Sequence, residues 1–188
     1  MIYDLPTSLS VCGVDYEIRS DFRAVLDVII ALSDPELRDE EKSFVALYIF
    51  YPGYGEMPYE HCREALRQCF WFINGGKDQE EEQSKPPKLM DWEQDFPYII
   101  SPVNRIMGRE IRADKYLHWW TFLGAYMEIG ECTFAQIVRI RDAKARGKSL
   151  DKQDQEWYTR NRQLVDMETH YTEAEDELLK LWGGGMNG

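Results

Sequence analysis

The chain is poor in histidine, in basic charge and in long apolar runs, and each shortage closes off a class of function. Only His61, His118 and His170 are present. A zinc centre takes three or four ligands, and the one pair at helical spacing, Asp166 and His170, has no third group beside it. No apolar stretch reaches the roughly 20 residues that a bilayer-crossing helix needs. The opening Met1-Ile-Tyr-Asp-Leu-Pro6 also lacks the basic start and apolar run of a secretory signal. Lysine and arginine number 22 against 34 aspartates and glutamates, which gives a net charge of −12 and a pI near 4.7. Phosphate backbones and anionic membrane surfaces repel such a chain, so nucleic acid and membrane are poor candidates for its partner. A soluble protein that meets other proteins in the cytoplasm is the expectation.

Paired cysteines are missing as well. Cys12, Cys62, Cys69 and Cys132 include no Cys-x-x-Cys motif. Cys62 and Cys69 stand about two helical turns, roughly 10 Å, apart, beyond the ~7 Å that a disulfide tolerates between Cα atoms. Buried free thiols in a reducing compartment follow. Gly75-Gly76-Lys77 lacks the spacing of a phosphate loop and runs into Glu80-Glu81-Glu82, a solvated acidic run. His118, beside Trp119 and Trp120, reads as a hydrogen-bonded core histidine, because no nucleophile or orienting carboxylate is designated for it. The Trp pair reads as core too, since single-strand binders place aromatics among basic residues and only Arg139 to Lys148 is locally basic. No catalytic residue, metal or cofactor is expected, and the chain is read as a non-enzyme.

Against these absences stand a hydrophobic share of 44% and an aromatic share of 13%, ample for the core of one domain of ordinary size. Residues 9–19 read as a small hairpin turning at Gly13. Ser20-Asp21 offers caps for a helix through Phe22, Val25, Leu26, Ile29 and Leu32, and Asp34-Pro35 punctuates it. A second helix from about Asp39 turns Phe44, Leu47, Tyr48 and Tyr51 inward and stops at Pro52-Gly53. A third, with Pro58 in its first turn, buries Cys62, Ala65, Leu66, Cys69, Phe70 and Ile73 and ends at Gly75-Gly76. After a charged linker, Asp91 opens a stripe of Trp92, Phe96, Ile99, Ile100, Val103 and Met107, which Pro97 and Pro102 must kink or split. The segment 114–129 is apolar nearly all round and is expected at the centre. Thr133 to Gln136 matches a capping box for a helix that faces Phe134, Ile137, Val138 and Ile140 inward and Arg139, Arg141, Lys144 and Arg146 outward.

From Asp151 to Trp182 neither Gly nor Pro intervenes, so one long helix is predicted there. Trp157, Leu164, Tyr171 and Leu178 recur every seven residues on it, and with Trp182 they make a thin apolar seam suited to a partner or a second copy of the chain. The sequence thus predicts a mainly α fold: a helical bundle with a small N-terminal β-hairpin and a long C-terminal helix. Its parts are 1–76, the hairpin plus helices; 77–90, the linker; 91–182, the helical remainder, in one domain or two abutting subdomains; and 183–188, a flexible tail.

Four segments in order carry a resemblance. They are Val14-Asp-Tyr-Glu-Ile-Arg-Ser-Asp-Phe-Arg23; Glu64-Ala-Leu with Phe70-Trp-Phe-Ile-Asn-Gly-Gly76; Asp91-Trp-Glu-Gln-Asp-Phe-Pro-Tyr-Ile-Ile100; and Leu117-His-Trp-Trp-Thr-Phe122, which leads into Phe134 and Ile140-Arg141. Together, over residues 9–160, they resemble the small bacteriophage proteins encoded beside the tape-measure gene of long-tailed phages of Gram-positive bacteria. The resemblance implies a tail-assembly role in the bacterial host cytoplasm, like that of the chaperones that coat the tape-measure protein, with the tail-tube protein as a further partner. The alternative it leaves is a structural virion component, a head–tail or tail-completion protein.

Overall fold

A computed structural model describes residues 4–78 and 87–167. Strands β1 (Ser8–Val11) and β2 (Val14–Glu17) pair antiparallel with Val11 opposite Val14. The two turn residues, Cys12 and Gly13, both have positive φ, 51° and 81°, as a tight hairpin turn of this hand requires. Leu9 and Val11 point into the core.

Helix α1 (Phe22–Ser33) begins at Asp21, whose carboxylate accepts from the Arg23 amide. Helix α2 (Asp39–Phe50) follows after a turn and packs on α1. Two short 3-10 turns, Tyr54–Glu56 and Tyr59–His61, lead into α3 (Cys62–Ile73), with Pro58 just ahead of the second turn. Across the linker, Asp91 caps α4 (Trp92–Met107) by accepting from the amides of Glu93 and Gln94. Pro97 and Pro102 do not split α4. It stays one helix because Ile99, Ile100 and Val103, on its inner face, are buried in the core, and that burial outweighs two missing helical hydrogen bonds.

Helix α5 (Trp119–Met127) starts later than the apolar pattern suggests, because His118 serves as its N-cap and turns the preceding chain extended. It is not enclosed either: Trp119, Phe122 and Ala125 are buried, while Met127 stands in solvent. Helix α4 instead packs against α1, α5 and α6 (Thr133–Ala145). The cap of α6 is Cys132, whose Sγ accepts from the Ala135 amide, in place of the expected Thr133 box.

The long C-terminal helix is the largest correction. Helix α7 (Lys152–Arg160) ends at Asn161, which leaves helical geometry and donates its side-chain amide to the Trp157 carbonyl. A short turn, α8 (Arg162–Val165), then closes at Asp166. The remainder of the predicted helix lies outside the described residues. One continuous core runs from Leu9 to Phe134 and draws on both sides of the linker. Cys69 is buried, and burial pushes its thiol up to about 12; Cys12 is exposed at the hairpin turn, against the expectation of a buried thiol. No helix among the described residues is long and apolar enough to cross a membrane.

Candidate functional site

The four segments that carry the resemblance meet around residues 117–122 and the C-terminal end of α3. Gly75 and Gly76 both take positive φ there, and the Gly76 amide reaches back to the Trp71 carbonyl, closing the helix in a left-handed cap. Such an end leaves carbonyls without helical donors. Trp119 Nε1 donates to the Ile73 carbonyl, and Trp120 Nε1 gives a second donor to the Phe72 carbonyl, which also accepts from the Gly75 amide, each indole bond at 2.9 Å. A Cβ on Gly76 would meet the Trp120 ring at 3.1 Å, so the glycine serves close approach as well as conformation.

His118 completes the joint. Its Nδ1 accepts from the Trp120 amide, so its Nε2 carries the proton and donates to the Pro6 carbonyl. Burial lowers its pKa and favours this neutral form. The N-terminal segment is fastened to the same place: Asp21 accepts from the Leu117 amide, and the Phe22 amide donates to the Leu117 carbonyl. Phe22 stacks on Phe122 at 4.8 Å, and Trp92 of α4 lies edge-on to Trp119. Histidine and tryptophans are thus occupied in holding four segments together. Their geometry is architectural.

A second joint is polar. Arg141, expected outward, is 5% exposed and faces Asp95, which is fully buried. The two form a bidentate pair at 2.6 and 3.0 Å. The other guanidinium protons go to the carbonyls of Leu89, Leu164 and Val165, so all five donors are used. Both residues sit in phase with apolar neighbours, Arg141 with Phe134 and Ile137, Asp95 with Trp92 and Ile99. That phase was the readable signal, and charge type overrode it.

Arg141 also decides where the predicted seam goes. By binding the Leu164 and Val165 carbonyls it turns α8 back onto α6, and Asp166 is then held by Lys144, Tyr158 and Arg162. Burial works against the charge of Asp166, but those hydrogen bonds outweigh it and keep the carboxyl at about 2. Trp157 and Leu164 are half-buried on two different helices, separated by the break at Asn161, and do not share one continuous stripe. Tyr171, Leu178 and Trp182, with His170, lie outside the described residues.

The aromatic surface appears elsewhere. Phe44 and Tyr48, expected inward on α2, are 54% and 63% exposed. Their rings stack at 6.2 Å, and Tyr54 meets Phe44 edge-on at 5.6 Å. The helix is apolar on both sides: Ala46, Leu47 and Phe50 fill the side toward the core and leave Phe44 and Tyr48 facing water. Arg19 fixes the far end of α2 by donating to the Tyr48 and Ile49 carbonyls. Periodicity alone could not choose between the two apolar faces.

The sequence model of one family, described as Bacteriophage Gp15 protein, matches residues 1–167. Among curated proteins and among solved structures, none matches the chain.

Proposed function

The chain belongs to the bacteriophage Gp15 protein family, and on that premise we propose that it is a non-enzymatic tail-assembly protein that binds the tape-measure protein as a chaperone does. The observation that carries this reading is the stacked pair of Phe44 and Tyr48, left in solvent on a helix whose other face is already packed, with half-buried Tyr54 of the following turn edge-on to Phe44. Adjacent exposed aromatics mark contact surfaces more often than isolated exposed apolar residues do. Rigid rings also give large contact area for little lost rotamer freedom. A long helical client with an apolar face is a fitting ligand for such a stripe, laid across it as a helix on a groove. The net charge of −12 keeps the complex soluble.

Co-expression with the tape-measure protein of the same genome tests this reading. The chain should co-purify with that client and be missing from finished particles. Fixed stoichiometric copies in purified particles would instead favour the structural virion component.

A further inference from the structure

Helices α1 and α4 line an open groove of about 450 Å³ whose lining includes neither Phe44 nor Tyr48. Its floor is apolar: Phe22, Leu26 and Ile30 rise at helical spacing from α1, and Trp92 and Phe96 from α4. Above the floor each wall carries one exposed carboxylate, Asp27 on α1 and Glu93 on α4. Neither side chain has a hydrogen-bond or ion-pair partner among the described residues. Burial against the floor raises the pKa of Asp27, the mark of a carboxylate that lacks a compensating cation.

The groove's own cations do not serve. Arg23 is bound to the Asp21 carboxylate at 3.0 Å and to the carbonyls of Ile111, Arg112 and Asp114. Arg112 is held by Glu110 at 2.8 Å. What remains is an apolar trough with one unneutralised negative charge on either bank.

We propose that this groove is a docking site for a basic amphipathic helix of a protein partner, its apolar stripe on the half-buried Ile30, Trp92 and Phe96 and a lysine or arginine on each flank meeting Asp27 and Glu93. The fit is one of charge and shape: flanking cations on a helix lie on both sides of its apolar stripe, as the two carboxylates lie on both sides of the trough. The inference is independent of the tape-measure reading and of the α2 stripe.

The probe is a fluorescein-labelled Leu/Lys peptide patterned as an amphipathic helix of about five turns, roughly 18 residues, titrated with the full chain by fluorescence anisotropy. It should bind, and a Leu/Glu peptide of the same pattern should not. Asp27→Lys with Glu93→Lys should weaken binding about tenfold or more. The neutral pair Asp27→Asn with Glu93→Gln, which keeps side-chain shape, should weaken it in the same direction by less. A control reversal of two exposed carboxylates elsewhere, Glu17→Lys with Glu131→Lys, should leave it within about twofold, the range left by screened, unpaired surface charge. Failure of the Leu/Lys peptide to bind would overturn the proposal. So would equal weakening by the control pair, since attraction would then be to net charge and not to the groove.

Discussion

In α5, Trp119 and Phe122 are buried, Trp120 and Tyr126 are half-buried, and both indole N–H groups end on carbonyls of α3; in α2, Phe44 and Tyr48 stand in water, and the Tyr48 hydroxyl has no hydrogen bond among the described residues. Both helices look alike by composition, since each is apolar on more than one side. They differ in whether a neighbour supplies something to bind. The open end of α3 offers carbonyls and a glycine-lined space that only a flat ring with a donor fills. On the outer face of α2, Phe44 and Tyr48 stay more than half exposed, with Tyr54 edge-on to Phe44. Aromatics with satisfied polar handles build the fold, and aromatics without them are available to a partner.

The largest effect should come from the buried side of this contrast. Trp119→Ala removes a fully enclosed ring and should cost about 3–5 kcal/mol. Calorimetry should then show a midpoint lower by about 10 °C or more. Trp119→Phe keeps most of the ring and strands the Ile73 carbonyl, so its loss should be about 1–2 kcal/mol. Equal losses for the two variants would mean that the N–H and not the ring dominates.

The polar joint should respond comparably but in a different way. Arg141→Met leaves Asp95 buried without a cation and should destabilise by about 3–5 kcal/mol. Adding Asp95→Leu should recover much of that loss in urea melts, because two apolar residues leave no stranded charge. If the double variant is no better than the single, the pair's bonds to Leu89, Leu164 and Val165 matter more than the charge.

Acid should act on the α5 joint more gently. His118 is neutral in the fold with its pKa lowered below 6.5, first by burial. The folded chain therefore binds a proton less readily than the unfolded one, and stability is full above that ordinary value and falls as pH drops through it. Thermal midpoints taken from pH 8 down to 5 should show the decline. His118→Asn, which retains a capping oxygen, should abolish that pH dependence at a small fixed cost.

These contrasts also explain what was legible in the chain. The hairpin, the caps at Asp21 and Asp91 and the glycine stop of α3 follow local rules, and each appears where its residues stand. Periodicity marks an apolar stripe but not which of two stripes finds a neighbour, so it points Phe44 and Tyr48 inward. Charge points Arg141 outward, although its phase matches Phe134 and Ile137. The helix from Asp151 is shorter than its composition suggests for a related reason. What ends it at Asn161 is tertiary, the binding of the α8 carbonyls by Arg141, and no glycine or proline announces it. With that break Trp157 and Leu164 lie on two helices and not on one stripe, and the exposed pair on α2 is visible only in three dimensions.

On the proposed function, the α2 aromatics serve a partner and not the fold. Phe44→Ser with Tyr48→Ser, made in the full chain and co-expressed with the tape-measure protein, tests it most directly. The thermal midpoint should stay within about 2 °C of the parent, as for surface substitutions of roughly ±0.5 kcal/mol, while co-purification is lost. A variant that keeps its client, or one that loses it only because it no longer folds, would show that Phe44 and Tyr48 do not serve a partner.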